Sequence, residues 1–152
     1  MLKALIASWR NNRAERALYA EFVEMLEMAW EVFETTSKVL AGQIEPDTVM
    51  DDVLVQDISI NRKERAIRRQ LVEHMTLGES AAVPSGLILM SITKDAERLG
   101  DYCKNLMEVA LLMQTPAKDL RYAKDIVDIG QQVTDNYQTT LTAFRQSDED
   151  LA

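Results

Sequence analysis

Hydrophobic residues recur at helical spacing along most of the chain, and glycine or proline interrupts that pattern at only a few places. In the stretch "AERALYAEFVEMLEMAWEVFETTSKVLAG", apolar residues follow one another at steps of three, four and seven: Phe22, Leu26, Ala29, Phe33 and Leu40. Residues at such steps share one face of an α-helix. Gly42 stands where a glycine commonly ends a helix. The pattern therefore predicts a first long helix that ends near residue 42.

Two more helices are predicted by the next interruptions of the pattern. The linker "GQIEPDTV" contains Pro46 as a helix breaker, and Asp47 or Thr48 is suited to cap a second helix that runs from about 48 to 76. After the turn "LGESAAVPSG", Pro84 suits the first turn of a third helix, whose apolar positions continue from Leu87 to Met113.

A fourth helix is predicted over roughly 116–146. Thr115 suits its N-cap and Pro116 its first position, and its apolar face consists of Leu120, Val127, Val133, Tyr137, Leu141 and Phe144. No segment alternates apolar and polar residues in the manner of a strand. Short connections between long helices favour antiparallel neighbours. We therefore predict an all-α, up-down-up-down helical bundle that forms one domain over 1–152.

The third predicted helix has a markedly charged side. On a helical wheel its apolar residues Ile92, Leu99, Cys103, Leu106 and Ala110 lie together, and opposite them lie Lys94, Glu97, Arg98, Asp101, Asn105 and Glu108. This arrangement predicts that the charged side faces solvent, as in any amphipathic helix. Glu97 and Asp101 form an i,i+4 pair of like charge, and a bound cation would remove their repulsion.

Acidic residues interrupt the apolar face of the second predicted helix. That face carries Met50, Val53, Ile60, Ile67 and Leu71, but Asp57 and Glu64 occupy positions in the same stepping. Unpaired carboxylates are costly to bury. The face therefore contacts solvent or a neighbouring subunit there, or the acids meet a cation. Arg65 and Arg68 are nearby candidates for ion pairs, and Asn61 lies on the same face as the two acids.

Composition and charge narrow the function. The chain has 152 residues and a formal net charge of -8, which opposes binding to nucleic acid. Cys103 is the single cysteine, so a disulfide framework is excluded and a reducing compartment such as the cytoplasm is expected. The N-terminal apolar stretch reaches Arg10 too early for a membrane span. We find no catalytic constellation around His74 or Cys103 and expect no enzyme.

Two stretches of the chain resemble the PhoU family. Residues 91–108, "SITKDAERLGDYCKNLME", are similar to its signature helix, and the matching positions are Asp95, Glu97, Arg98, Gly100, Asp101, Asn105 and Glu108. Residues 56–71, "QDISINRKERAIRRQL", are similar to the helix before it. The resemblance implies one three-helix PhoU repeat over about 15–114. The additional helix resembles the start of a second repeat, which leaves open a short family member or a piece of a longer protein.

The resemblance also implies a function. PhoU proteins are non-enzymatic regulators of phosphate uptake or phosphate-responsive signalling, in the cytoplasm or at the inner face of the membrane through their partners. Those partners are a phosphate transporter and a membrane sensor kinase. We accordingly expect a partner-binding surface at Arg98, Asn105 and Glu108, a homo-oligomer of which a dimer is the simplest form, and no membrane insertion.

Some family members hold metal clusters through an acid-x-x-x-Asp motif in each of two helices. Glu97 and Asp101 match one motif, whereas Asp57 is followed by Asn61 in place of the second acid. By resemblance the predicted metal residues are Asp57, Asn61, Glu64, Glu97 and Asp101, with iron, manganese or magnesium as the cation. The alternative is a structural or oligomerisation module without metal, in which the acids of the second helix mark a polar subunit interface.

Overall fold

The computed structural model describes residues 13–77, 82–113 and 119–146. These residues form four α-helices, α1 (Arg13–Leu40), α2 (Met50–Leu77), α3 (Ala82–Leu112) and α4 (Ala123–Gln146), with a 3-10 turn at Pro46–Thr48 between the first two. No strand occurs among these residues. The prediction of an all-α helical bundle is confirmed.

The end of α1 is formed by the predicted glycine. Gly42 has a φ of 69°, in the left-handed region that glycine enters without steric cost. The Gln43 amide donates to the Lys38 carbonyl and the Gly42 amide to the Val39 carbonyl, each at 2.9 Å. These bonds satisfy carbonyl groups that the last helical turn leaves without partners.

The predicted start of the second helix is wrong in detail. Asp47 and Thr48 belong to the 3-10 turn, and α2 begins at Met50. The Thr48 hydroxyl donates to the Glu45 carbonyl at 2.7 Å, so it closes the turn and does not cap α2. The start of the fourth helix also differs, because α4 begins only at Ala123, after a turn in which the Ala123 amide donates to the Leu120 carbonyl. Thr115 and Pro116 lie outside the described residues.

The helices α1, α2 and α3 pack on one another around a shared apolar core. Its largest fully buried side chains include Phe22, Met25, Ile60, Ile67, Leu71, Leu89 and Met107. Between α1 and α2, the polar contacts run in opposite chain order: Gln56 with Glu31, Lys63 with Glu24, and Gln70 with Glu21. The residue numbers rise along α2 while those of their partners fall along α1, so these two helices point in opposite directions.

Helix α4 packs on α1 through its second half. The Tyr137 hydroxyl donates to the Leu26 carbonyl at 2.9 Å, and the Tyr19 hydroxyl donates to the Phe144 carbonyl at 2.7 Å. The rings of Phe22 and Phe144 meet edge to face with centroids 5.1 Å apart. These contacts bury the C-terminal part of the predicted apolar face.

The N-terminal part of that predicted face is exposed. Leu120, Val127 and Val133 are all exposed, and Val127 retains 60% of its accessible surface. Helical spacing identified a face of α4, but it could not show that only half of that face meets another helix. No helix among the described residues is long and apolar enough to cross a membrane.

Candidate functional site

The buried face of α3 differs from the predicted one. Glu97 is only 5% exposed, whereas Leu99 and Leu106 are exposed. The reason is that α3 packs against both α1 and α2, so its buried arc is wide and includes part of the charged side. The prediction that Glu97 faces solvent is therefore wrong.

Small residues let α2 come close to this side of α3. A Cβ atom added to Gly100 would lie 3.1 Å from Ile60 Cδ1, and one added to Gly86 would lie 2.6 Å from Met75 Sδ. Ile60 and Met75 of α2 thus pack directly on the two glycines of α3. In this alignment Lys104 of α3 lies beside Asp57 of α2.

Asp57 and Glu64 are buried within the apolar face of α2, as their spacing indicated. We refer to Asp57, Glu64, Glu97 and Asp101 as the acidic cluster; two of them belong to α2 and two to α3, and Asp57 and Asp101 meet at Lys104. The open question from the sequence was whether the two acids of α2 face solvent, a subunit or a cation. In the structure each of the four has a basic side chain as a partner.

Lys104 joins two of these acids from different helices. Its ammonium Nζ donates to Asp101 Oδ1 at 2.9 Å and to Asp57 Oδ2 at 3.4 Å. The hydrogen bond to Asp101 raises the pKa of Lys104 most, and the nearby Asp57 carboxylate raises it further. Lys104 therefore carries its positive charge at neutral pH. Lys104 was not among the predicted site residues, although its position three after Asp101 places the two on the same side of α3.

The other two acids are paired within their own helices. The Arg68 guanidinium donates to Glu64 Oε1 at 2.8 Å, and the Lys94 ammonium donates to Glu97 Oε2 at 2.6 Å. Of the two arginines that the sequence offered to Glu64, Arg68 makes the pair and Arg65 is exposed. Within the described residues, no buried side-chain nitrogen or oxygen is left without a hydrogen bond.

Asn61 interacts with its own helix. Its amide Nδ2 donates to the backbone carbonyl of Asp57 at 3.0 Å. A carboxylate could not donate this bond, so the asparagine is suited to a role that the acid of the family motif could not fill. The bond engages Nδ2 alone, whereas Oδ1 is the atom through which an asparagine coordinates a hard cation.

In this arrangement the four acids among the predicted metal residues are paired with bases of the chain. Among residues 13–77, 82–113 and 119–146, no three side chains of His, Cys, Asp or Glu are grouped so that they could hold a metal ion. A cation placed between Asp57 and Asp101 would have to displace the Lys104 ammonium that both carboxylates accept from. The metal site stays a prediction, and this geometry does not favour it.

The predicted partner-binding residues lie on the outer side of α3. Arg98, Asn105 and Glu108 are all exposed. The guanidinium of Arg98 is 3.8 Å from Asp95 Oδ1, a distance typical of a loose surface ion pair. These three side chains are therefore accessible to another molecule.

Cys103 and His74 have structural surroundings. Burial raises the pKa of the Cys103 thiol to about 11, while a hydrogen bond with Thr36 lowers it slightly. At neutral pH the group is a thiol and not a thiolate nucleophile. His74 Nε2 lies 3.4 Å from Glu15 Oε1, so its partner is a carboxylate of α1 rather than only the end of α2.

Comparison with known proteins identifies the family of the chain. A family model described as the PhoU domain matches residues 20–110. The match takes in most of α1, all of α2 and nearly all of α3, the three helices that share the core. No curated protein and no solved structure matches the chain. Because the family model covers more than half of its length, the chain belongs to the PhoU family.

Proposed function

We propose that this chain is a non-enzymatic regulator of phosphate uptake or phosphate-responsive signalling that acts by binding another protein. The observation that carries this proposal is the match of the PhoU domain to residues 20–110, which suggests a phosphate-related regulatory role. The matched residues form the mutually packed part of the bundle. The regulatory unit would therefore be α1 to α3.

The outer side of α3 supports a role in binding. Arg98, Asn105 and Glu108 present a cation, an amide and an anion to solvent along one helix. Charged and amide groups at a protein surface give an interface its specificity and its rate of association. A phosphate transporter or a membrane sensor kinase is the proposed partner, and it would bring the chain from the cytoplasm to the inner face of the membrane.

The state of the reactive side chains is compatible with a binding role. The Cys103 thiol is buried and protonated, and His74 is held beside Glu15. The four carboxylates of the acidic cluster are bonded to lysine or arginine. Each of these groups has a partner that explains its position in the fold without catalysis.

The proposal is tested by deleting the gene and measuring phosphate uptake in cells grown with abundant phosphate. We expect the deletion to change the uptake rate and the wild-type gene to restore it. A double variant, Arg98→Glu with Glu108→Lys, should fail to restore uptake although it keeps its helical circular dichroism. The variant Asp128→Lys changes an exposed acid of α4 that lies outside the family match, and it should restore uptake fully.

Two results would contradict the proposal. Unchanged uptake together with an unchanged phosphate-responsive reporter in the deletion strain would remove the regulatory role. Full restoration by the double variant would leave the role in place and remove the outer side of α3 as the partner surface.

A further inference from the structure

The positive charge inside the acidic cluster comes from the chain itself. Two carboxylates, those of Asp57 on α2 and Asp101 on α3, share one base, Lys104. The difference, two acids minus one base, leaves one negative charge. A metal ion would therefore meet a pair of carboxylates whose charge is already half neutralised.

Lys104 is the base that joins acids of both helices. Arg68 and Lys94 each pair with an acid of their own helix, whereas Lys104 donates to one acid of α2 and to one of α3. Its side chain is 23% exposed and Asp57 is only 7% exposed. The two carboxylates converge on one point, and that point holds the ammonium group.

We propose that Lys104 is a built-in cation that takes the place of a metal between Asp57 and Asp101, so that the intact protein takes up no metal there and removal of the ammonium opens a site for a hard divalent cation. The inference rests on the contacts of Lys104 and does not depend on the proposed regulatory function.

Competition between like charges is the physical reason. Two carboxylates from adjacent helices that share one cation are suitable ligands for Mn²⁺ or Mg²⁺, which prefer oxygen and complete their coordination with water. With Lys104 present, such an ion would meet a positive charge at the same point. Without it, Asp57 and Asp101 would repel each other, and binding of a cation would relieve that repulsion.

The test compares the purified full chain with Lys104→Gln and with Lys63→Gln. Lys63 is a matched control, because it also joins two helices through an acid, Glu24 at 2.7 Å, and its side chain is 20% exposed. Mn²⁺ alone is titrated by calorimetry, and the melting temperature is measured with and without it. We expect Lys104→Gln to bind one Mn²⁺ and to gain about 5 °C or more at saturation, while the wild type and Lys63→Gln gain nothing.

Either of two results would overturn the inference. In one, the wild type binds Mn²⁺ as tightly as Lys104→Gln does. In the other, Lys104→Gln binds no more Mn²⁺ than Lys63→Gln does. If Lys104→Gln loses its helical signal, Lys104→Met keeps an apolar chain of similar length and is measured in the same way. Phosphate uptake does not enter this experiment, so its failure would leave the proposed function standing.

Discussion

Among the described residues, the thiol of Cys103 and the phenol of Tyr137 are buried groups whose pKa lies well above the ordinary value. Burial is the main cause for both, and the charge of Cys103 also raises the pKa of Tyr137. Since both groups are neutral when protonated, the fold favours their protonated forms. Their ionisation at high pH must therefore oppose folding.

Ionisation of the Cys103 thiol should lower the stability of the fold at alkaline pH. The pKa of Cys103 is about 11 in the folded chain, against 9.0 as its ordinary value. Between these values the unfolded chain loses the thiol proton first, so it binds fewer protons and stability falls as the pH rises. We expect the free energy of unfolding, measured with urea, to fall by about 1 kcal/mol between pH 8 and pH 10.

Cys103→Ala provides the control for this measurement. The variant is less stable at every pH because it loses packing, but its decline between pH 8 and pH 10 should be smaller than that of the wild type. The ionisation of Tyr137 contributes mainly above pH 10, because its ordinary pKa is 10.0 and burial raises the pKa in the folded chain. Equal slopes in the two proteins would show that Cys103 does not cause the decline.

At the scale of the element, α4 is held by one half of its length. Tyr137 and Leu141 are buried against the bundle, whereas Val127 and Ile129 are exposed. The free energy that fixes this helix must therefore come from its C-terminal half. This uneven packing is the main difference between α4 and the three helices of the family match.

Two alanine variants test this distribution. Leu141→Ala removes a buried side chain and should lower the free energy of unfolding by about 2–5 kcal/mol. Val127→Ala, on the same predicted face but 60% exposed, should change it by no more than about 0.5 kcal/mol. Both are measured by urea unfolding at pH 7. A large loss in Val127→Ala would mean that another surface covers the first half of α4.

Periodicity predicted the elements better than it predicted their faces. It identified the four helices and the end at Gly42, because apolar spacing and glycine are local signals. It misplaced Glu97, because a wheel drawn for one helix does not show that α3 has two neighbours. Periodicity also could not predict the pairing of Asp57 with Lys104. The two residues are 47 positions apart and meet only because α2 lies beside α3.

In the described part of the molecule, α1, α2 and α3 form most of the core, and Tyr137 and Leu141 of α4 complete it where α4 packs on α1. Several apolar side chains on the outer surface of α3 are exposed to solvent, among them Tyr102, Leu106 and Val109. Helical spacing places these three on one side of α3. An exposed apolar stripe of this kind is compatible with the predicted dimer, because a second copy would remove it from water.

If the chain forms a homo-dimer, its particle mass in solution should be near twice the chain mass of 17.3 kDa. Light scattering after size-exclusion chromatography measures this mass directly. If the stripe on α3 forms the interface, Leu106→Glu should yield a monomer, whereas Val127→Glu on α4 should not. A wild-type mass of one chain at high concentration would contradict the predicted dimer.

The bond between Lys104 and Asp57 also restricts how the bundle can be assembled. An apolar face alone tolerates a slip of one helical turn between neighbouring helices, because one large aliphatic side chain can replace another. Such a slip between α2 and α3 would separate Asp57 from Lys104 and leave a buried carboxylate without the cation it pairs with. The ion pair thus selects one alignment of the two helices from several that hydrophobic burial would accept.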